Sequence, residues 1–132
     1  MNAVVSLDRI GRQLPTLDHA HWFLRLPLVA IIMYEGLKKF DDLAGGAEMF
    51  GVPILMWTLA ALGEILAPAA LIVGGFFRNG VGDLITRAAG FGIAFILGGV
   101  ILIAYWPFWS GYKFHLLMFA GGMYFLARGN NA

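Results

Sequence analysis

Cysteine is absent from this 132-residue chain. Disulfides, thiol redox chemistry, iron–sulfur clusters and Cys-ligated zinc are excluded with it. Charge is scarce as well. Asp, Glu, Lys and Arg make up 13% of the residues, where a soluble domain carries about 25%. The formal net charge of +1 gives no basis for nucleic-acid binding. There is no internal repeat, no Gly-rich phosphate loop and no low-complexity tract. His19 and His21 fall together at one end of the apolar segments and His115 at the other, so no two of the three histidines suit one heme, and no tight His/Asp/Glu spacing marks a metal site.

What is abundant is apolar surface: 60% of the residues are hydrophobic. A single small domain cannot bury that much, so lipid is the expected second solvent. Crossing about 30 Å of hydrocarbon takes roughly 20 apolar helical residues. Four segments qualify or nearly so: Trp22–Lys38, Pro53–Phe77, Leu84–Tyr105 and the shorter Tyr112–Ala127. The links "FDDLAGGAEMFGV", "RNGVGD" and "WPFWSG" carry the Gly, Pro, Asn and Asp of turns. Short links make successive helices antiparallel neighbours. The expected fold is all-α: an integral membrane four-helix bundle over residues 21–128, preceded by an N-terminal segment of residues 1–20 and followed by a tail, 129–132. In "VVSLDRIGRQL", Leu7, Ile10 and Leu14 fall at helical spacing, which suits a short interfacial helix, with a frayed polar tail as the alternative, rather than a cleaved leader.

The basic residues orient this topology. All six arginines fall on one side and all three lysines on the other. The arginine side is therefore expected to be cytoplasmic, with both termini inside. Aromatic belts are expected from Trp57, Tyr105, Trp106, Trp109 and Tyr112 at one interface, and from Trp22, Phe76, Phe77 and Tyr124 at the other.

Glu64 is the anomaly. It sits near the middle of the second span, with Ala60, Ala61, Ala67 and Pro68 three and four residues away and Trp57 seven back on the same face. Small neighbours predict that it faces another helix. An intramembrane carboxylate is a functional hypothesis by default. Three readings stand: a protonated, hydrogen-bonded structural acid, a partner to a buried cation, or part of a site for a proton, quinone or other ligand. Arg25, about one turn into span 1, either snorkels to water or reaches toward Glu64. At the inner face, Asp83 precedes Arg87 by four residues, and the two are read as an interfacial pair. A second group gathers at the outer rim: Tyr34, Glu35 and Lys38 from "MYEGLKKF" with Tyr112 and His115 from "GYKFHLL". It reads either as a solvated helix end or as a seat for a quinone head group or an anion. Gly90, Ala94 and Gly98 form a small-residue stripe that lets helices approach closely, inside the bundle or against another subunit.

Several of these residues form an ordered pattern: Arg25 early in span 1, G-x-x-K at its end (Gly36, Lys39), G-x-P before span 2 (Gly51, Pro53), Glu64 within it, and Gly74 followed four residues later by Arg78. Over about Trp22–Arg87 the chain resembles the DoxX/DoxD-like membrane proteins. Span 4 departs from that family. There "KFHLL" places His115 near the position where members often have an acid, and "ARGNNA" replaces a Gly/Pro-rich tail. The resemblance implies a four-helix bacterial inner-membrane protein, similar to small quinone-linked subunits of thiosulfate oxidation or to accessory subunits of other membrane redox complexes. By carry-over it marks Arg25, Lys39, Glu64 and Arg78. The expected function is that of an accessory, non-catalytic subunit packed in a larger redox or energy-converting assembly, with no cofactor of its own. The alternative is a quinone-binding oxidoreductase subunit in which Glu64, with Arg25 or Lys39, exchanges protons. A small proton-coupled transporter is a third reading, disfavoured by the absence of a repeat.

Overall fold

The structure is a computed structural model that describes residues 2–131. Every regular element among them is helical. Six α-helices follow in order: α1 (Asn2–Gln13), α2 (Trp22–Lys39), α3 (Leu43–Phe50), α4 (Ile54–Phe76), α5 (Gly80–Val100) and α6 (Trp109–Arg128). A π-helical turn, Ile101–Tyr105, extends α5, and a 3-10 turn, Gly129–Asn131, ends α6. By length and composition, α4 and the continuous α5–π segment Gly80–Tyr105 are long and apolar enough to cross a membrane.

The four long helices form an antiparallel stack in chain order. α5 packs on both α4 and α6, α4 packs on α2, and α2 touches α6 only lightly. The core runs through Leu28 and Ile32 of α2, Leu71 of α4, Ile93 and Leu97 of α5, and Met118 and Phe125 of α6. Outward faces carry large exposed apolar side chains such as Leu66, Phe95, Leu102 and Leu117. In water these would form a patch far larger than a monomer tolerates, whereas against lipid they are matched. Two proline rings lie inside helices, Pro27 in α2 and Pro68 in α4, without ending either.

The small-residue stripe is consumed within the chain. A methyl group added to Gly90 would lie 2.5 Å from the Leu126 nitrogen and 2.6 Å from the Gly122 carbonyl oxygen. One added to Gly122 would lie 2.9 Å from the nitrogen of Ala94. Backbone therefore meets backbone at this crossing, and Gly98 continues the contact toward the ring of Phe119. Of the two uses the sequence leaves open, the α5–α6 interface is the one observed.

Two expectations about the loops change. The link "FDDLAGGAEMFGV" contains a helix, α3, and not merely a turn. Asp42 caps it by accepting a 2.8 Å hydrogen bond from the Gly45 amide. Gly51, at φ 66°, terminates it in the left-handed conformation that favours glycine. The fourth helix is also longer than the Tyr112–Ala127 segment. It gains a turn from Trp109 and spans 20 residues, about 30 Å at the helical rise. α1 buries none of its residues, so its Leu7 and Ile10 stay on the surface.

Candidate functional site

Buried polar groups gather at two centres, one at each end of the bundle. At the lysine-rich end, Lys39 closes α2 and Glu64 lies midway along α4. The Lys39 ammonium donates to Glu64 Oε2 at 2.7 Å, and the two side chains are only 8% and 1% exposed. They meet because α2 and α4 approach closely here. A methyl group on Gly36 would lie 2.9 Å from Glu64 Cβ and 3.1 Å from the Ala61 carbonyl oxygen. Two ions this deep must pair, since an unpaired charge in so dry a place is far costlier than a paired one.

Trp57, one face-repeat before Glu64, roofs the pair. The Lys39 ammonium stands 5.1 Å from its ring centroid, and the ring stacks on Phe50 of α3 at 5.0 Å. Helix α3 thus covers the centre, which is why Trp57 is buried rather than part of an interfacial belt. Its indole nitrogen faces Gly46 of α3 and has no hydrogen-bond partner among the described residues. Phe50 also meets Tyr105 of the π turn edge-on at 5.3 Å, and Tyr105 packs 4.6 Å from the ring of His115. The Nδ1 atom of His115 is the second buried side-chain polar atom left without a partner among the described residues. Glu35, half-buried one turn before Lys39, is within electrostatic reach of Glu64, Tyr105 and His115.

The structure therefore divides the five residues expected at the outer rim. Glu35 and His115 join the Lys39–Glu64 centre. Tyr34 and Lys38 are exposed on the far face of α2. Tyr112 packs instead with Trp106 and Trp109, at 5.6 and 5.4 Å. An apolar groove of about 820 Å³ between α4 and α5 reaches Trp57 from the lipid-facing side, lined by Pro53, Ala60, Gly98 and Leu102 among others.

Arg25 does not approach Glu64. The antiparallel register sets it against Leu71–Gly75 of α4, at the opposite end. Its side chain is fully buried, with contacts to every long helix. The Nε–H donates to His21 Nδ1 at 3.2 Å, and one terminal nitrogen donates to the Leu71 carbonyl and to Thr86 Oγ1 at 3.2 Å. The other donates to Asn130 Oδ1 at 3.0 Å. The guanidinium also lies over the rings of Trp22 and Phe125, at 5.3 and 4.8 Å. Its partners are neutral oxygens, a neutral nitrogen and π faces. None of the ion pairs among the described residues involves it.

Asn130 is the residue that sequence reasoning missed. Its Oδ1 also accepts from Thr86 at 2.6 Å, while its Nδ2 donates to the carbonyls of Gly74 at 2.9 Å and Phe77 at 3.0 Å. Its backbone amide donates to Asp83 Oδ1 at 3.0 Å. Asp83 and Arg87, expected as an interfacial pair, are joined at 2.9 Å. They also finish α6, because Arg87 donates to the Leu126 and Ala127 carbonyls at 3.0 and 2.9 Å. A cation on the last carbonyls and an acid on the following amide satisfy a helix C-terminus from a neighbouring helix. The available signal was Gly129, whose φ of 56° turns the chain so that Asn130 re-enters the bundle. Arg78 is exposed beside this centre, on the wall of a second, polar cavity.

Fold and site together define a small helical membrane protein that holds a buried ion pair at one end and a buried arginine at the other. The DoxX family model matches residues 20–106. The chain belongs to the DoxX family. The match includes Arg25, Lys39, Trp57, Glu64 and Arg78, and it stops before α6, so His115 and Asn130 lie outside it. Neither the curated proteins nor the solved structures contain a match to the chain.

Proposed function

We propose that the protein is a four-span subunit of the bacterial inner membrane, with both termini and α1 on the cytoplasmic side, that serves a larger redox assembly by holding a quinone at the Lys39–Glu64 centre. Helices of 18, 23, 26 and 20 residues match the thickness of a hydrocarbon core. The charged residues that set α2 apart from an ordinary span lie inward or at its ends, where intramembrane charge is tolerated. The surface Leu7 and Ile10 of α1 suit the headgroup boundary on the arginine-rich side.

One observation carries the quinone reading. A buried ion pair stands against a tryptophan whose indole N–H is unsatisfied, and an apolar groove leads to that same tryptophan. Orphaned buried donors are rare and call for an acceptor. A quinone has two carbonyl acceptors on a flat ring and an apolar tail. The Lys39 ammonium and, once α3 shifts from its seat at Gly46, the indole N–H of Trp57 are the donors suited to the carbonyls, and the α4–α5 groove suits the tail. A quinone supplies two-electron, two-proton redox chemistry when bound. The Lys39–Glu64 pair shares one exchangeable proton, carried by the ammonium and accepted by the carboxylate, which fits the pair to proton delivery. The chain has no cysteine, so the electrons would come from a partner subunit, in keeping with an accessory rather than a self-sufficient catalytic role.

The test is extraction of the protein purified from native membranes in mild detergent. Near-stoichiometric quinone is expected in the wild type, with strong depletion in Trp57→Phe and in the double variant Lys39→Met/Glu64→Leu. The same preparation should carry a stoichiometric membrane partner by mass spectrometry. Quinone-free wild-type protein from quinone-replete membranes would refute the binding reading.

A further inference from the structure

The second polar cavity lies at the arginine-rich end, far from the Lys39–Glu64 centre and independent of it. It has a volume of about 850 Å³, and its walls come from the segment before α2, the α4–α5 connection and the tail. Arg25 lies directly behind the wall, because His21, Trp22 and Asn130 all line the cavity and all contact its guanidinium. That guanidinium is fully buried and has no carboxylate partner among the described residues. Buried charges are ordinarily paired, and this one faces the cavity through a single layer of side chains.

His21 gives a second, independent pointer. It is only 8% exposed, and its Nδ1 accepts from Arg25. Neutral imidazole with Nδ1 as acceptor carries its proton on Nε2, and that N–H has no protein acceptor among the described residues. Arg78 adds an exposed guanidinium to the wall, and the N-terminus of the 21-residue helix α5 opens there at Asn79 and Gly80. Helix N-termini favour anions. The acids on the wall are Asp83, already engaged by Arg87 and the Asn130 amide, and Asp18 at the rim.

We infer that this cavity binds a phosphate group, with Arg78 and the His21 Nε2–H as donors and Arg25 as the buried counter-charge. In a membrane protein this end meets lipid headgroups, so an anionic phospholipid is the occupant the location favours. Free phosphate has the same chemistry and is separated from it by experiment.

The full-length protein in neutral detergent is titrated with phosphatidylglycerol, phosphatidylcholine or inorganic phosphate, following the midpoint of thermal unfolding. A ligand that binds only the folded state raises the midpoint in proportion to its saturation. Phosphatidylglycerol should raise it, and Arg78→Gln should weaken that binding roughly tenfold, the scale of one charge-assisted hydrogen bond. Arg9→Gln, on the exposed α1 of the same end, should bind as wild type does. His21→Phe should weaken binding as Arg78→Gln does. Stabilisation by inorganic phosphate, lost in Arg78→Gln, also supports the site and makes its occupant soluble. Equal binding by wild type and Arg78→Gln overturns the proposal. So does equal loss in Arg9→Gln and Arg78→Gln, which reports diffuse surface charge, and so does an unchanged midpoint with every ligand.

Discussion

The two buried centres solve the same problem in opposite ways. At the lysine-rich end, Lys39 meets Glu64 at 2.7 Å, charge against charge, and the surrounding indole and imidazole are left with unsatisfied atoms. At the arginine-rich end, Arg25 meets the Leu71 carbonyl, Thr86, Asn130 and His21, and among the described residues no fully buried side-chain atom of the network lacks a partner, the His21 Nε2–H turning to the cavity instead. The first centre is electrically balanced but incompletely hydrogen-bonded. The second hydrogen-bonds its buried guanidinium throughout but carries net charge. Salt bridges and hydrogen bonds are thus not interchangeable means of burying an ion. The first leaves room for a neutral ligand with acceptor groups, and the second for an anion.

The sharpest way to break the comparison is to remove one partner of the ion pair. Lys39→Met leaves Glu64 buried without its cation and should cost about 3–5 kcal/mol, read as a large fall in the detergent unfolding midpoint. The double replacement Lys39→Met/Glu64→Leu should restore most of that loss, because apolar residues of similar volume substitute well for a buried pair. A double variant as unstable as the single one would show that packing, not charge, is at stake.

Asn130→Ala attacks the other centre. It strips acceptors from Arg25 and Thr86 and a donor from two carbonyls, and should cost about 2–3 kcal/mol. Proteolysis of the tail beyond Ala127 should accelerate in parallel. A variant as stable and protected as wild type would mean that water replaces the amide there.

Gly36→Ala should cost about 1–3 kcal/mol by forcing α2 from α4 at the ion pair. Gly99→Ala is the matched control. It meets open space and should be neutral or stabilising by roughly 0.5–1 kcal/mol through helix propensity. Equal effects at both glycines would remove the case for close approach at Gly36.

The smallest effect concerns pH. Burial, with Arg25 and His19 nearby, holds the His21 imidazole below its ordinary value of 6.5. The unfolded chain then binds more protons than the folded one, so stability is fully present above 6.5 and declines as pH falls through and below it. His21→Gln should flatten that decline in a series of unfolding midpoints. An unchanged slope would place the titrating group elsewhere.

Much of this was legible from residue patterns. The long helices follow from apolar runs, and Glu64 from its isolation among alanines. Lys39 entered through the G-x-x-K motif, though sequence alone did not choose between it and Arg25. That choice depends on register. Depth along separate helices set Arg25 near Glu64, but antiparallel packing aligns it with Leu71 and Gly75 instead. Helix α3 was hidden by its glycines, although its Asp42 cap and Gly51 stop were both in view. Asn130 was hidden for a different reason. A polar residue after the last span carries no periodic signal, and its role exists only where four helices converge.

The Arg25–Asn130 hydrogen bond joins residues 105 positions apart in the chain. At a synthesis rate of about 5–20 residues per second, the guanidinium is made roughly 5–20 seconds before its amide partner. Throughout that interval the guanidinium has only its other partners, His21, the Leu71 carbonyl and Thr86, as each is made in turn. Closure of its hydrogen-bond network is therefore a late event of synthesis, which waits for Asn130 to follow the last long helix.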